Sequence, residues 1–283
     1  MRLLTYVAKK KGAGPRVGVL VGDSSVMPLR FKSMIELIEA GRKAVRIPKG
    51  KPLQLSSVRI LAPIPRPRKN VFCVGWNYVE HFEEGAKARA PGVELPSHPT
   101  FFTKAPTAVN GPYDRIPLHA GVTGKVDWEV ELGVVIGRRG INIKEAEAMK
   151  YVFGYTVIND VSAREIQRRH GQQWFKGKSL DGHCPMGPWT VTADQVKDWW
   201  DLRVVTRVNG VVKQDSNTRH MYFKLPRIIA ELSAGLTLEP GDIISTGTPA
   251  GVGHARTPPE FLKAGDILET EIAGIGLLKN PIG

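Results

Sequence analysis

The stretch from 127 to 137, DWEVELGVVIG, constrains the fold more than any other part of the chain. In a β-strand successive side chains point to opposite faces, so Asp127, Glu129 and Glu131 share one face and Trp128, Val130 and Leu132 the other. The VVIG that follows is apolar on both faces, the pattern of a strand buried on both sides. Three like charges leading into a buried strand repel one another and are costly to desolvate unless a cation sits among them. A surface strand with its acids in water alternates in the same way. The segment alone leaves a metal site and a solvated face equally open.

A chain of 283 residues, 42% apolar, can bury a sizeable core as one large domain or as one plus a small appendage. It has no apolar run of about 18 residues, and its opening MRLLTYVAKKKGAG lacks the apolar stretch of a signal peptide. Cys73 and Cys184 are the only cysteines, too few for a disulfide framework and wrongly spaced for zinc. Cys73, in VFCVG, reads as a core thiol. The expectation is a soluble, cytoplasmic protein.

The net charge of +13 lies wholly in the first quarter: residues 1–70 hold 16 Lys and Arg against Asp23, Glu36 and Glu39, and the rest is balanced. That quarter shows strand-like RLLTYVA and RVGVLVG, a turn-rich KKKGAGP and a helical SMIELIEA. It ends in the Pro-rich LAPIPRPRKN. We therefore expect a small basic domain over 1–65 and a main domain over 70–283. No zinc-finger spacing, helix-turn-helix pattern or aromatic-interleaved basic motif accompanies the charge, so nucleic acid is not the expected partner. A basic face also speeds the arrival of any small anionic ligand.

Beyond the connector, NVFCVGWNY begins as a buried strand, and NYVEHFEEGAKARA has helical composition over 77–90 with Asn77 as a candidate N-cap. His81 and Glu84 stand at i and i+3, so a helix places them on one face, where a carboxylate orients an imidazole for proton transfer. An exposed surface pair has the same spacing. The Pro-rich stretch over 91–99 beside this helix has the composition of a movable lid. Downstream, FGYTVIND is a strand ending at Asp160, and SAREIQ offers Ser162 and Glu165 as a capping box with Arg164 and Gln167 close by. Asp160 meets Glu129 and Glu131 if the two strands are neighbours. The three carboxylates would then make an oxygen-only shell suited to Mg²⁺ or Mn²⁺.

The C-terminal part is glycine-rich. LEPGDIISTGT and LKAGDILETEI echo each other as a turn followed by a strand. TGTPAGVG lacks the Gly-Lys-Ser/Thr ending of a phosphate loop, though its backbone N–H groups and the hydroxyls of Thr246 and Thr248 suit a carboxylate. No Gly-x-Ser-x-Gly elbow exists, which argues against a serine hydrolase.

Six segments in order, GWNYVEHFEE, DWEVELGVVIG, GYTVINDVSAREIQ, GKSLDGHCPMGP, NTRHMYF and STGTPAGVG, resemble the fumarylacetoacetate hydrolase family. That family includes acylpyruvate hydrolases and 2-hydroxyhepta-2,4-diene-1,7-dioate isomerases. The resemblance covers 70–283 closely and the basic first part more loosely. It implies an α+β, mostly β fold, a mixed roll or sandwich with short helices and a small N-terminal domain, assembled as a homodimer. It implies Mg²⁺ or Mn²⁺ on Glu129, Glu131 and Asp160, with Asp127 outside the set. It also implies a catalytic His81/Glu84 pair with Lys178, and substrate contacts from Arg164, Gln167 and Thr248. Trp76, at a variable position of the family motif, is expected to shape substrate choice.

The implied substrate is a small anionic 2-oxo acid whose enolate the metal stabilises. With water activated by His81 and Glu84, the reaction is hydrolysis of a C–C bond in an acylpyruvate-like acid, which we place first. The alternatives are isomerisation or decarboxylation of a hydroxymuconic-type dienoic diacid of aromatic catabolism, and decarboxylation of oxaloacetate. A non-enzymatic or nucleic-acid-binding protein is the distant reading.

Overall fold

The computed structural model describes residues 1–85, 94–171 and 173–283. The first part contributes β1 (Arg2–Ala8), β2 (Arg16–Val21), β3 (Ser25–Pro28), α1 (Met34–Ala40), β4 (Leu53–Gln54) and β5 (Val58–Leu61). Helix α1 begins where Ser33 accepts the N–H of Glu36, and it buries Met34, Leu37 and Ile38 at helical spacing. β6 (Val71–Gly75), α2 (Val79–Glu84), β7 (Thr100–Lys104), β8 (Val109–Asn110), β9 (Val126–Asp127) and β10 (Val130–Ile136) follow. Next come β11 (Val152–Asn159), β12 (Ser162–Ala163), α3 (Arg164–Arg169), α4 (Phe175–Lys178) and β13 (Cys184–Thr192). The chain closes with β14 (Arg203–Val208), β15 (Val211–Asn217), α5 (Leu225–Ser233), β16 (Ile243–Ser245), β17 (Ile267–Ile272) and β18 (Gly276–Pro281).

The main sheet runs β4-β3-β2-β1-β13-β11-β10-β16-β6-β7, with β5 on β1 and β8 on β13. A second sheet, β15-β14-β17-β18, packs its Val204 and Ile272 into the same core as Leu132, Val134 and Val157. The fold is mostly β with short helices, as expected. Strands from 1–65 join the rest through the antiparallel pairing of β1 with β13. The two echoing turn-strand segments supply β16 and β17, which lie in different sheets. β10 sits between β11 and β16, and all seven of its residues are buried, which is why its sequence is apolar on both faces. Cys73 and Cys184 are buried free thiols. Among the described residues no helix is long and apolar enough to cross a membrane.

Two expected helix starts are corrected. Tyr78, not Asn77, occupies the N-cap of α2. The Asn77 amide is buried and ties the end of β6 to the end of β16 and to the segment before α5, bonding the carbonyls of Phe223 and Thr246 and the N–H of Phe223. Nor do Ser162 and Glu165 form a capping box, since Ala163 is the N-cap of α3. Ser162 donates to the Asp160 carbonyl, and Glu165 accepts from Thr123 and the Gly124 N–H. Long-range partners claim Asn77 and Glu165, while Ser162 turns back on a carbonyl two residues before it. Of the helix expected over 77–90, α2 ends at Glu84, and positions 86–93 of that helix and its lid lie outside the described residues.

Candidate active site

Strand register brings the acids together. In the β10–β11 ladder Val130 faces Asn159 and Glu131 faces Ile158, so Glu129 meets Asp160 just past its end. There the Asp160 N–H donates to the Glu129 carbonyl at 2.8 Å. The expected strand over 127–137 is interrupted at Trp128 and Glu129. Their N–H groups go instead to the side chains of Asp127 and Asn159, at 2.8 and 3.0 Å. Glu129, Glu131 and Asp160 are all buried and offer oxygens within 4.8 Å of one another. Asp127 is buried as well, so the solvated-face reading is overturned.

Three cations surround the cluster. Lys178 Nζ donates to Glu129 at 2.6 Å and to Asp160 at 2.7 Å. Lys104 Nζ donates to the other Asp160 oxygen at 2.5 Å, and Arg164 pairs with Glu129 at 2.7 Å. Glu131 has no ion pair among the described residues; one of its oxygens accepts from Ser245 Oγ at 2.6 Å and from the Gly247 N–H at 2.9 Å. Burial would raise the Glu129 carboxyl, but Lys178 and Arg164 outweigh it and hold it well below the ordinary range. Burial, together with the charges of Asp160 and Glu129, pushes Glu131 well above that range. An added cation beside Glu131 would relieve that repulsion, so these residues fit a bound metal ion.

Asp127 is spoken for. Its oxygens accept from Arg164 Nε at 2.8 Å and from the N–H groups of Trp128, Gly253 and His254. β9 pairs with β12, setting Asp127 opposite Ser162 two residues before Arg164. Burial opposes ionisation of Asp127, yet Arg164 and His254 hold its carboxyl below the ordinary value. It therefore anchors Arg164 and is not free to ligate. Arg164 in turn donates to the Gln167 side chain at 3.1 Å.

On α2, His81 Nδ1 lies 2.7 Å from a Glu84 oxygen, and the pair is partly buried, not an exposed surface pair. A cavity of about 590 Å³ is lined by His81, Glu129, Glu131, Arg164, Lys178 and Thr248. Gln167, Arg168 and His254 also line it, as do Trp76, Phe102 and Trp174. The fold thus gathers around one cavity every expected site residue except Glu84 and Asp160, which lie behind it against His81 and Lys178. Thr248 Oγ1 accepts from Gln214, whereas Thr246 is turned away, donating to the Leu132 carbonyl. Trp76 has φ 52°, rare for a bulky residue, and packs edge-on against Trp174 and against Phe82 of α2.

Sequence reasoning missed Lys104, His254 and Trp174. Lys104 closes TFFTK, where a terminal lysine normally reaches solvent. Its only signal was its place after an apolar run. His254 stands in a loop-like GHARTPP with no spacing to mark it. Burial, with Arg164 beside it, keeps the His254 imidazole below its ordinary value.

Residues 70–283 match the family described as fumarylacetoacetate (FAA) hydrolase C-terminal, and the chain belongs to that family. It is 42% identical to the oxaloacetate tautomerase YisK of Bacillus subtilis over 94% of this chain and 96% of that one. It is 43% identical to the mitochondrial oxaloacetate tautomerase FAHD2A of Bos taurus over 100% of this chain and 91% of that one. The crystal structure of a 2-hydroxyhepta-2,4-diene-1,7-dioate isomerase from Mycobacterium marinum superposes with a TM-score of 0.79 at 35% identity, covering 100% and 98% of the two chains.

Proposed function

We propose that the protein is a Mg²⁺- or Mn²⁺-dependent keto–enol isomerase of a small 2-oxo dicarboxylate such as oxaloacetate. The observation that carries this reading is one cavity uniting a buried three-carboxylate cluster with an imidazole held by a carboxylate. End-to-end similarity to oxaloacetate tautomerases supports it. C–C hydrolysis, placed first from the sequence, has family-level support only, and the tautomerase and isomerase relatives favour the alternative.

Glu129, Glu131 and Asp160 would hold the ion, an all-oxygen donor set that suits Mg²⁺ or Mn²⁺. A divalent cation there supplies a Lewis acid that draws electron density from a chelating 2-oxo acid and acidifies the adjacent C–H. Lys178, Arg164 and Gln167 supply positive charge and donors for the acid's anionic groups. His81 removes or returns the proton at the carbon next to the carbonyl. Glu84 fixes the ring by its bond to Nδ1, leaving Nε2 for the substrate. Phe102, Trp76 and Trp174, which line the same cavity, limit the water in it. A cytoplasmic setting belongs to the same proposal; the relatives include bacterial and mitochondrial proteins.

A substrate panel with added Mg²⁺ tests the reading by product analysis. Enol oxaloacetate should be converted to its keto form faster than acylpyruvates are hydrolysed. Acylpyruvate cleavage with no effect on the oxaloacetate keto–enol equilibration rate would reinstate hydrolysis.

A further inference from the structure

Two carboxylate–imidazole pairs serve the one cavity. Glu84 and His81 form the first; Asp127 and His254 form the second, with His254 Nδ1 3.2 Å from Asp127 Oδ2. The second pair is built with as much care as the first. Gly253 donates its N–H to Asp127 at 2.7 Å, and a Cβ at 253 would lie 2.1 Å from the Glu260 carbonyl oxygen and 2.6 Å from Asp127 Oδ1. Only glycine lets this turn press against Asp127. The His254 N–H follows at 3.0 Å, so backbone and ring of one residue are both fixed on one carboxylate.

This geometry fixes the tautomer. The other partners of Asp127 are all donors, Arg164 Nε and the N–H groups of Trp128, Gly253 and His254, so its oxygens accept and the shared proton belongs to His254 Nδ1. In the neutral ring Nε2 then carries the lone pair, and it has no hydrogen-bond partner among the described residues, while the side chain lines the cavity. His81 cannot cover both ends of a keto–enol conversion by swinging. Glu84, which holds its Nδ1, is itself tied through its second oxygen to the Gly251 N–H at 2.7 Å. A keto–enol conversion moves one proton at carbon and another at the neighbouring oxygen, which are different places in space.

We propose that His254, set by Asp127, is a second proton-transferring residue that exchanges the enol hydroxyl proton while His81 exchanges the proton at carbon. The inference rests on the keto–enol reading above. In the enol-to-keto direction the O–H bond breaks toward His254 Nε2 and its electron pair becomes the C=O π bond. The C=C π pair takes a proton from protonated His81 and forms the new C–H bond. His254 ends protonated and His81 neutral, and one proton exchanged by each ring with water restores both. No oxidant or reductant is needed.

The test uses Mg²⁺-loaded protein and oxaloacetate with two readouts: decay of the enol absorbance, and exchange of the C3 hydrogens of the keto form for deuterium in D₂O by NMR. Exchange at C3 needs only the group acting at carbon. His254→Gln should slow enol decay by about 10²-fold, the lower range of general acid–base contributions, yet leave C3 exchange within a few-fold of wild type. His81→Gln should lose both. Added imidazole should restore part of the enol decay to His254→Ala, which a purely structural role would not allow. His254→Gln keeping both rates, or losing both together, would overturn the inference. A wild type inert in both readouts would instead remove the keto–enol reading itself.

Discussion

Glu84 accepts a hydrogen bond from the backbone N–H of Gly251 at 2.7 Å, joining segments 167 residues apart in the chain. Its other oxygen holds His81, so helix α2 and the TGTPAGVG loop are locked together through the base of the proposed reaction. The backbone N–H groups of this loop do hold carboxylates, Gly251 that of Glu84 and Gly247 that of Glu131, and the loop is the wall against which the His81/Glu84 pair is set.

Removing His81 leaves the Glu84–Gly251 bond in place, so it should cost rate and little else. His81→Ala is expected to lower kcat by about 10²–10⁴-fold, the usual worth of positioned proton transfer, with bound metal and melting temperature nearly unchanged. Steady-state kinetics with elemental analysis and calorimetry checks this. Near-normal turnover would leave the pair with no part in the reaction.

Gly251 should tolerate no side chain. Its φ is +102°, and a Cβ would lie 2.2 Å from the Lys213 carbonyl oxygen. Gly251→Ala must shift this backbone and lengthen the bond to Glu84, so kcat should drop, with a stability loss of about 1–3 kcal/mol by urea unfolding. Gly210→Ala, also at positive φ (+78°) but with nothing within 4 Å of the added Cβ, serves as the control. It should lose some stability and keep its activity.

Lys104 is fully buried against Asp160 and the Val161 carbonyl. Lys104→Met leaves Asp160 with Lys178 alone, and breaking a buried pair in this way costs about 3–5 kcal/mol. Urea unfolding of chelator-treated protein should show a loss of that order, and Mg²⁺ should recover part of it. An unchanged unfolding midpoint would mean that the pair contributes nothing net.

The strand carrying the site was legible because VVIG is apolar where β11 and β16 cover it on both sides, whereas the pairing with β11 that brings Asp160 to Glu129 was only a condition in the sequence. The six ordered motifs made the family legible too. What was hidden depends on contacts far apart in sequence. Asn77 and Glu165 look like parts of helix caps until distant partners claim them, and Lys104 looks like a solvated strand end until Asp160 is placed beside it. His254 has no pattern because its meaning comes from Asp127, 127 residues away. Hydrolysis and isomerisation draw on the same residues, so spacing could not rank them.

His183 supplies a pH signature of folding. Burial lowers its imidazole to about 3, with Nε2 donating to the Pro117 carbonyl at 2.8 Å. The unfolded chain takes up this proton near pH 6.5 and the folded chain does not. Its contribution is thus fully present above pH 6.5 and is lost as the pH falls toward 3, by about 1.4 kcal/mol per pH unit. The stability gap between wild type and His183→Gln, measured by urea unfolding, should shrink by that slope between pH 6 and pH 4. A gap constant with pH would contradict it.

In the proposed reaction Glu129, Glu131 and Asp160 hold a divalent cation on which keto–enol conversion depends. The direct measurement is the rate of enol oxaloacetate conversion by chelator-treated protein, verified metal-free by elemental analysis, before and after Mg²⁺ or Mn²⁺ is added. Without metal the rate should be no faster than in buffer alone, with metal it should recover fully, and Glu131→Gln should not recover. Full activity in the metal-free protein would contradict it.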